Sequence, residues 1–150
     1  MKVVVQRVRE ATVSIDNQMV SKINQGLLIL LGIESTDNQE DIDWLVTKIA
    51  NLRIFNDENH IMNYSLKNIS GEVMVVSQFT LHASTKKRNR PSYIKAAKPE
   101  IAIPLYNNFI ANLGKEIGIP VKTGKFGAMM DIFLINDGPV TIIIDTKNKE

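Results

Sequence analysis

Five consecutive apolar residues at 27–31, Leu-Leu-Ile-Leu-Leu, follow Gly26 without a polar interruption. A strand of this kind offers no face to water, so it is expected to be buried on both sides of its sheet. A second apolar run, Val-Met-Val-Val at 73–76, has the same character. The two runs predict buried strands, and the rest of the chain must supply the layers that cover them.

Further strands are predicted on both sides of these runs. Short β-branched stretches near the N-terminus end at a turn formed by Asp16 and Asn17, and Asn-Asp-Gly-Pro at 136–139 interrupts the apolar C-terminal region. The predicted strands are 3–5, 13–15, 27–31, 71–81, 126–135 and 140–144, with Val121 in a further short one.

Two helices are predicted between the strands. The first has an apolar stripe over residues 42–52 and capping-box spacing at Asp37 and Glu40. The second covers about 99–117 and ends at Gly118; Pro104 must either kink it or mark a later start. Because strands outnumber helices and occur in consecutive runs, we expect an α+β fold. We expect a single compact domain, 1–150, with a mixed or antiparallel, barrel-like sheet covered by the two helices.

Composition excludes several classes of protein. The chain has 150 residues, no cysteine and only two histidines, so a disulfide framework and thiolate chemistry are excluded and a metal site is disfavoured. No charge-free apolar run approaches the roughly 18 residues of a membrane span, and no signal peptide is recognisable at the N-terminus. We therefore expect a cytoplasmic protein with no membrane contact, no metal and no cofactor.

The net charge is only +2, but the basic residues are unevenly distributed. Between positions 84 and 98 no acidic residue separates the cations, which are Lys86, Lys87, Arg88, Arg90, Lys95 and Lys98. Such a segment is typical either of a solvated loop or of a surface that contacts a polyanion. Composition alone does not decide between the two.

Two polar stretches interrupt otherwise apolar strands. Ser-Gln-Phe-Thr-Leu at 77–81 is either an ordinary sheet edge or the mouth of a site in which the Thr80 hydroxyl has His82 as its nearest base. Asn-Asp-Gly-Pro-Val-Thr at 136–141 is either a turn or a rigid loop whose Gly-Pro bond, if cis, points two carbonyl oxygens to one side.

These two stretches, in this order and separation, resemble the signature motifs of the D-aminoacyl-tRNA deacylases. Further matches occur along the whole chain, in Gln6-Arg7-Val8, in Leu-Arg-Ile-Phe at 52–55, in Arg-Pro-Ser at 90–92 and in Thr-Gly-Lys-Phe-Gly-Ala at 123–128. One departure is Arg88, since relatives commonly carry glycine at that position. The resemblance implies hydrolysis of the ester bond between tRNA and a D-amino acid or glycine.

The resemblance also implies how such a site works. The N–H groups of Phe79 and Thr80 would stabilise the oxyanion, Ser77 and Gln78 would shape the pocket, and the ribose 2′-OH of the substrate would activate water. Thr80 as a nucleophile is the alternative within the family. Ala128 and Met130 would lie near the terminal adenosine.

Chiral selection would depend on a second protomer. The resemblance implies that Gly138 and Pro139 form a cis pair that reaches into the partner's pocket, reads the amino group and excludes an L side chain, with Arg7 bracing the segment. The expected partners are therefore a second copy of the chain and the tRNA acceptor end, held by Lys86, Lys87, Arg88 and Arg90. Two other interpretations remain, a non-catalytic RNA-binding module and a small-ester hydrolase using Thr80 and His82.

Overall fold

The computed structural model describes residues 1–86 and 89–149, in which six strands form one mixed sheet. The elements in chain order are β1 (Lys2–Ile15), β2 (Gln18–Ile23), β3 (Gly26–Gly32), α1 (Gln39–Asn51), β4 (Phe55–Asn56), β5 (Met62–Tyr64), β6 (Glu72–Ser77), the short 3₁₀ helix η1 (Phe79–His82), α2 (Pro99–Ile117), β7 (Lys122–Thr123) and β8 (Asp131–Asp145). The strand order is β2-β1-β3-β6-β7, and β8 pairs with β1. Because β2 also contacts β7, the sheet is a nearly closed barrel. The predicted α+β fold is confirmed.

The strands β3 and β6 form the centre of this sheet. They pair in parallel, with Leu31 opposite Ser77 at the end of the ladder. Their side chains alternate between two cores: Leu27 and Ile29 pack under the helices, whereas Leu28 packs in a smaller cluster on the other face. Both faces of the apolar run at 27–31 are therefore buried, as predicted.

β1 is longer than the sequence predicted. The two β-branched stretches belong to one strand, Lys2–Ile15, which ends at a turn whose residues Asp16 and Asn17 have φ values of 50° and 61°. Its first half pairs with β3 and its second half with β2, while β8 runs antiparallel along its other edge. β1 therefore connects the buried centre of the sheet to β8.

α1 begins one residue later than predicted. Asn38, not Asp37, is the N-cap: its Oδ1 accepts hydrogen bonds from the N–H groups of Glu40 at 2.8 Å and Asp41 at 3.4 Å. Asp41 completes the capping box by accepting from the Asn38 N–H at 3.0 Å. The Asp37 carboxylate is not available for capping because it accepts a hydrogen bond from the α-ammonium group of Met1.

α2 matches the predicted range. It begins at Pro99, continues through Pro104 and ends at Gly118, whose φ is 77°. The alternative in which the helix starts after Pro104 is wrong, because Pro104 lies inside it; its missing N–H leaves one helical hydrogen bond unmade. The buried face of α2 consists of Ala102, Tyr106, Phe109 and Leu113. No helix in the described part of the chain is long and apolar enough to cross a membrane.

The C-terminal strand differs from the prediction. Residues 126–130 are irregular, and the stretch 136–139 is not a turn between two strands but part of the single strand Asp131–Asp145. The register between β8 and β1 shifts on either side of Val8. Such irregularities let a strand accommodate Pro139, which has no N–H to donate to the ladder.

We predict that Asn38→Ala lowers the free energy of unfolding by about 1 kcal/mol, because two N–H groups in the first turn of α1 lose their acceptor. The matched control is Thr47→Ala, an exposed position in the same helix, which should change it by less than about 0.5 kcal/mol. Urea unfolding measures both. Equal effects would show that the cap does not stabilise the helix.

Candidate active site

The chain leaves the sheet at the end of β6. Gln78 still donates its N–H to the Leu31 carbonyl oxygen at 2.8 Å, and residues Phe79–His82 then form η1. The prediction of one strand over 71–81 is therefore wrong beyond Ser77. Because β3 ends at the same level, no strand remains on that side for the following residues to pair with.

Two backbone donors are free at the start of η1. The first N–H groups of a helix have no intrahelical acceptor. Neither Phe79 nor Thr80 donates its N–H to any acceptor within residues 1–86 and 89–149. The Leu81 N–H, in contrast, is bonded to the Gln78 carbonyl at 3.2 Å. The Thr80 hydroxyl accepts a hydrogen bond from the Gln78 side-chain amide. Two adjacent N–H groups are thus available to an external acceptor.

A cavity of about 310 Å³ opens beside these donors. Five of the predicted site residues line it: Ser77, Gln78, Phe79, Ala128 and Met130. Thr80 is not part of the lining. The other walls are mostly apolar, and they come from β3, β6, α2 and the irregular segment before β8. A mostly apolar cavity with a few polar groups at its edge is typical of a small-molecule or nucleoside site.

The segment 123–130 is held against this cavity by close contacts. A Cβ atom on Gly124 would lie 2.4 Å from the Met130 Sδ, so a side chain at position 124 would displace the Met130 thioether. Phe126 packs edge to face on Tyr106 at 5.5 Å. Tyr106 donates its hydroxyl to the Val75 carbonyl at 2.9 Å, and burial raises its pKa to about 12. The aromatic wall is therefore fixed to the central strand β6.

Arg7 lies in a second cluster, on β1. Its side chain is buried, and its guanidinium group donates to three carbonyl oxygens, those of Ile54 (Nη1, 2.5 Å), Asp137 (Nε, 3.0 Å) and Gly138 (Nη2, 3.4 Å). The Asp137 carboxylate also lies 3.1 Å from Nε. Arg7 thus ties the irregular part of β8 to the loop after α1.

Gly138 and Pro139 lie on the surface of the protomer. The peptide bond between them is cis, and both residues are exposed. A Cβ atom on Gly138 would meet no atom closer than the Asn136 Nδ2 at 3.4 Å. The pair does not line the cavity beside Phe79. Within one chain the two signature stretches are therefore not brought together.

Backbone hydrogen bonds between Ser84 and Ser92 join the two ends of the loop that carries most of the basic residues of the segment 84–98. Ser84 and Ser92 exchange backbone hydrogen bonds of 2.8 and 3.0 Å, and between them Lys86 and Arg90 are exposed. Tyr93, which follows, packs edge to face on Phe79 at 5.0 Å. The other two predicted RNA-binding residues, Lys87 and Arg88, lie outside the described residues.

The whole chain is similar to known proteins. The family model described as D-Tyr-tRNA(Tyr) deacylase matches residues 4–145. This chain belongs to that family. Proteins named D-aminoacyl-tRNA deacylase from Flavobacterium psychrophilum and Parabacteroides distasonis are 67% and 64% identical to it, each over 100% of both chains.

Solved structures agree with this family fold. The c-Myc DNA Unwinding Element Binding Protein has a TM-score of 0.90 and 40% identity, covering 97% of this chain and 98% of its own. A probable eukaryotic D-amino acid tRNA deacylase has a TM-score of 0.82 over 95% of this chain and 97% of its own. Since that second protein is only 16% identical, it supports the fold alone.

A hydrolytic dyad of Thr80 and His82 is not formed. The Thr80 hydroxyl is bonded to Gln78, and the His82 Nδ1 lies 3.9 Å from the Glu34 carboxylate. In the described ranges, no group of three or more His, Asp or Glu side chains could hold a metal ion. Among the described residues, no strong side-chain base is therefore bonded to the Thr80 hydroxyl.

Sequence reasoning missed three residues that shape the two clusters. Tyr93 contacts Phe79 edge to face, Phe126 forms part of the cavity wall, and the Asp137 carboxylate pairs with Arg7. Phe126 and Asp137 lie inside stretches that match the family, so the resemblance could have identified both as candidate site residues. Tyr93 follows the matching Arg-Pro-Ser at 90–92, but nothing in the sequence pairs it with Phe79.

We predict that Arg7→Ala lowers the free energy of unfolding by about 2 kcal/mol, because the buried Ile54 carbonyl and the part-buried carbonyls of Asp137 and Gly138 lose their donor. Arg9→Ala is the matched control: Arg9 lies 3.8 Å from the same Asp137 carboxylate, but its side chain is 74% exposed. Its loss should cost less than about 1 kcal/mol. Urea unfolding of both variants is the test, and similar costs would contradict the bracing role of Arg7.

Proposed function

We propose that this protein hydrolyses the ester bond of D-aminoacyl-tRNA, releasing the free D-amino acid and tRNA. The observation that carries the proposal is the pair of free N–H groups of Phe79 and Thr80 at the rim of a largely apolar cavity. The names of full-length relatives support the same activity. Because tRNA is charged in the cytoplasm, that is where we expect the protein to act.

The proposed chemistry uses the two N–H groups as an oxyanion hole. Water attacks the ester carbonyl carbon, the carbonyl oxygen becomes negative, and the N–H groups of Phe79 and Thr80 donate to it. Each such donor contributes about 10²- to 10³-fold in comparable sites. The tetrahedral intermediate then collapses, and the bond to the ribose 3′ oxygen breaks.

The proton transfers are assigned to the substrate. Near the cavity, the described residues place no strong base within reach of a water molecule, because His82 faces Glu34 and the Thr80 hydroxyl is held by Gln78. The neighbouring ribose 2′-OH can take part in moving the proton from water to the leaving 3′ oxygen. We therefore prefer substrate assistance to a threonine nucleophile.

The apolar cavity is proposed to hold the terminal adenosine. Phe126, Ala128 and Met130 provide an apolar surface against which a base can stack or pack. Ser77 and Gln78 also line the cavity, and they precede in sequence the residues that carry the oxyanion donors. This arrangement would leave the ester group at the rim, beside η1.

Chiral selection is proposed to come from a homodimer. Gly138 and Pro139 are exposed on their own protomer and are braced by Arg7, so they are suited to entering the cavity of a second copy. Their carbonyl oxygens would accept from the substrate ammonium group and collide with an L side chain. Glycine has no side chain to reject, so glycyl-tRNA would also be hydrolysed.

The basic segment is proposed to contact tRNA phosphates. Lys86 and Arg90 are exposed in the segment closed by Ser84 and Ser92, and Lys87 and Arg88 extend the same charged stretch of the sequence. Contacts to phosphate attract any tRNA without reading its bases.

The activity is tested by release of a labelled D-amino acid from charged tRNA. We expect multiple turnovers with D-aminoacyl-tRNA and little release from the L-aminoacyl form. If the protein binds charged tRNA but releases nothing, it is a binding module and the proposed hydrolase activity is wrong.

We predict that Thr80→Ala retains most of the single-turnover rate, because the oxyanion donors are backbone groups. A substrate that ends in 2′-deoxyadenosine should instead be hydrolysed at least about 100-fold more slowly, in the range of general acid–base contributions. Near-complete loss in Thr80→Ala with normal hydrolysis of the deoxy substrate would indicate a threonine nucleophile.

We predict that Gly138→Ala leaves the free energy of unfolding within about 0.5 kcal/mol of wild type, because the added methyl group has room on its own protomer. If Gly138 enters the partner's cavity, the same methyl group should lower kcat/KM for D-aminoacyl-tRNA at least ten-fold. Unfolding curves and steady-state kinetics on one preparation measure both. Unchanged kinetics would remove Gly138 from the site.

A further inference from the structure

A second cavity, of about 500 Å³, is lined in part by Leu81 and His82 at the end of η1. We call it the lysine cavity. Its charged lining residues are Lys2, Lys86, Lys95, Lys147, Glu34 and Asp145. Four ammonium groups therefore face two carboxylates, and the cavity attracts anions.

Two of the four lysines already have partners. Lys2 Nζ lies 3.3 Å from the Asp145 carboxylate, and Lys147 Nζ lies 2.7 Å from Asp41 and 3.5 Å from Asp37. These pairs fix the floor of the cavity, where the start of β1 meets the end of β8.

The other two lysines are free. In the part of the chain that the structure describes, Lys86 and Lys95 form no ion pair and no hydrogen bond, and both are exposed. The Glu34 carboxylate, which could have neutralised one of them, faces the His82 Nδ1 at 3.9 Å instead. The rim of the cavity therefore carries two uncompensated positive charges.

His82 does not hold an anion in this conformation. It is only 7% exposed and lines the cavity, but its Nε2, which has no hydrogen-bond partner among the described residues, has almost no solvent-accessible surface. A ligand in the cavity therefore meets the exposed lysines, and a ligand with negative charge fits their two uncompensated charges.

The position of the lysine cavity identifies the source of such a ligand. Phe79, at the first position of η1, lines the apolar cavity, and Leu81 and His82, at its end, line the lysine cavity. A 3₁₀ helix rises about 2 Å per residue, so roughly 6 Å of backbone separates the two. Stacked nucleotides repeat about every 3.4 Å along a strand. A strand whose last base occupies the apolar cavity therefore reaches the lysine cavity within a few nucleotides.

We propose that the lysine cavity binds backbone phosphates of the single-stranded 3′ end of tRNA, with Lys86 and Lys95 as the main cations. Lysine suits this role because its ammonium group acts as a mobile point charge and requires no fixed ligand geometry. The inference rests on the proposed function. It adds Lys95 and the floor formed by Lys2 and Lys147 to the residues considered above.

The test compares three substrates that carry the same D-amino acid: the full tRNA, the trinucleotide CCA and adenosine alone, which has no phosphate. The variant is Lys86→Ala with Lys95→Ala. Two lost contacts to a single strand should flatten the dependence of log(kcat/KM) on log salt by about 1.4. At about 0.1 M salt this corresponds to roughly a 25-fold loss in kcat/KM for the tRNA and for CCA, and to a much smaller loss for adenosine.

The matched control is Lys115→Ala with Lys122→Ala, which removes the same charge. Lys115 lies in the last turn of α2, whereas Lys95 precedes its first turn, and the 19 residues of the helix are roughly 28 Å long. This control should keep wild-type kinetics on all three substrates.

The outcomes separate the two proposals. If wild-type protein cleaves none of the substrates, the proposed function itself fails. If it cleaves them but the Lys86 and Lys95 variant loses equally on all three, or on none, the lysine cavity does not bind phosphate. A loss confined to full tRNA would place the phosphates in the acceptor stem and overturn the assignment to the 3′ end.

Discussion

The parallel pairing of β3 with β6 is the interaction on which the site depends. Both strands are buried on both faces, so their position is fixed by two cores at once. They end at the same level, and the last ladder contact is the hydrogen bond from the Gln78 N–H to the Leu31 carbonyl. Beyond it the chain turns into η1, which leaves the Phe79 and Thr80 N–H groups free. A rigid pair of donors is thus produced by backbone geometry and requires no reactive side chain.

The long strand β1 positions Arg7, which contacts the Gly-Pro part of β8. One edge of its N-terminal half is paired with β3 and the other edge with β8, and between them Arg7 is buried and directed at three carbonyl groups. A buried guanidinium group is stable only when its donors are satisfied. The irregular part of β8 supplies two of those acceptors, which explains how an exposed Gly-Pro segment is held in one position.

The buried strands and the second helix could be predicted because their signals are local. The apolar run at 27–31 leaves no alternative to burial, and Pro99 and Gly118 mark the ends of α2 directly. The first helix cap was misplaced by one residue, because Asp37 and Asn38 have equivalent spacing to the next acids and only the contact between Asp37 and Met1 distinguishes them. That contact joins distant parts of the chain and has no local signature.

The site was predictable from motifs but not in its conformation. Strand propensity predicted that β6 continues through Phe79 and Thr80, but the strand ends at Ser77. Turn propensity predicted a loop at 136–139, but these residues remain part of the strand β8. The sequence groups Lys86 with Lys95, so this part of the lysine cavity was predictable. Lys2 and Lys147 are distant from them in sequence, and only the fold brings all four lysines to one cavity.

In the proposed mechanism, the backbone of η1 stabilises the oxyanion while a second protomer binds the amino group. A crystal structure with 3′-D-aminoacylamino-3′-deoxyadenosine, in which a stable amide replaces the ester, tests both parts. We expect the base against Phe126 and Met130, the amide oxygen within hydrogen-bond distance of the Phe79 and Thr80 N–H groups, and the ammonium group at the carbonyl oxygen of Gly138 of the partner subunit. An amide oxygen directed away from η1, or a cavity with no partner residue near it, would contradict this mechanism.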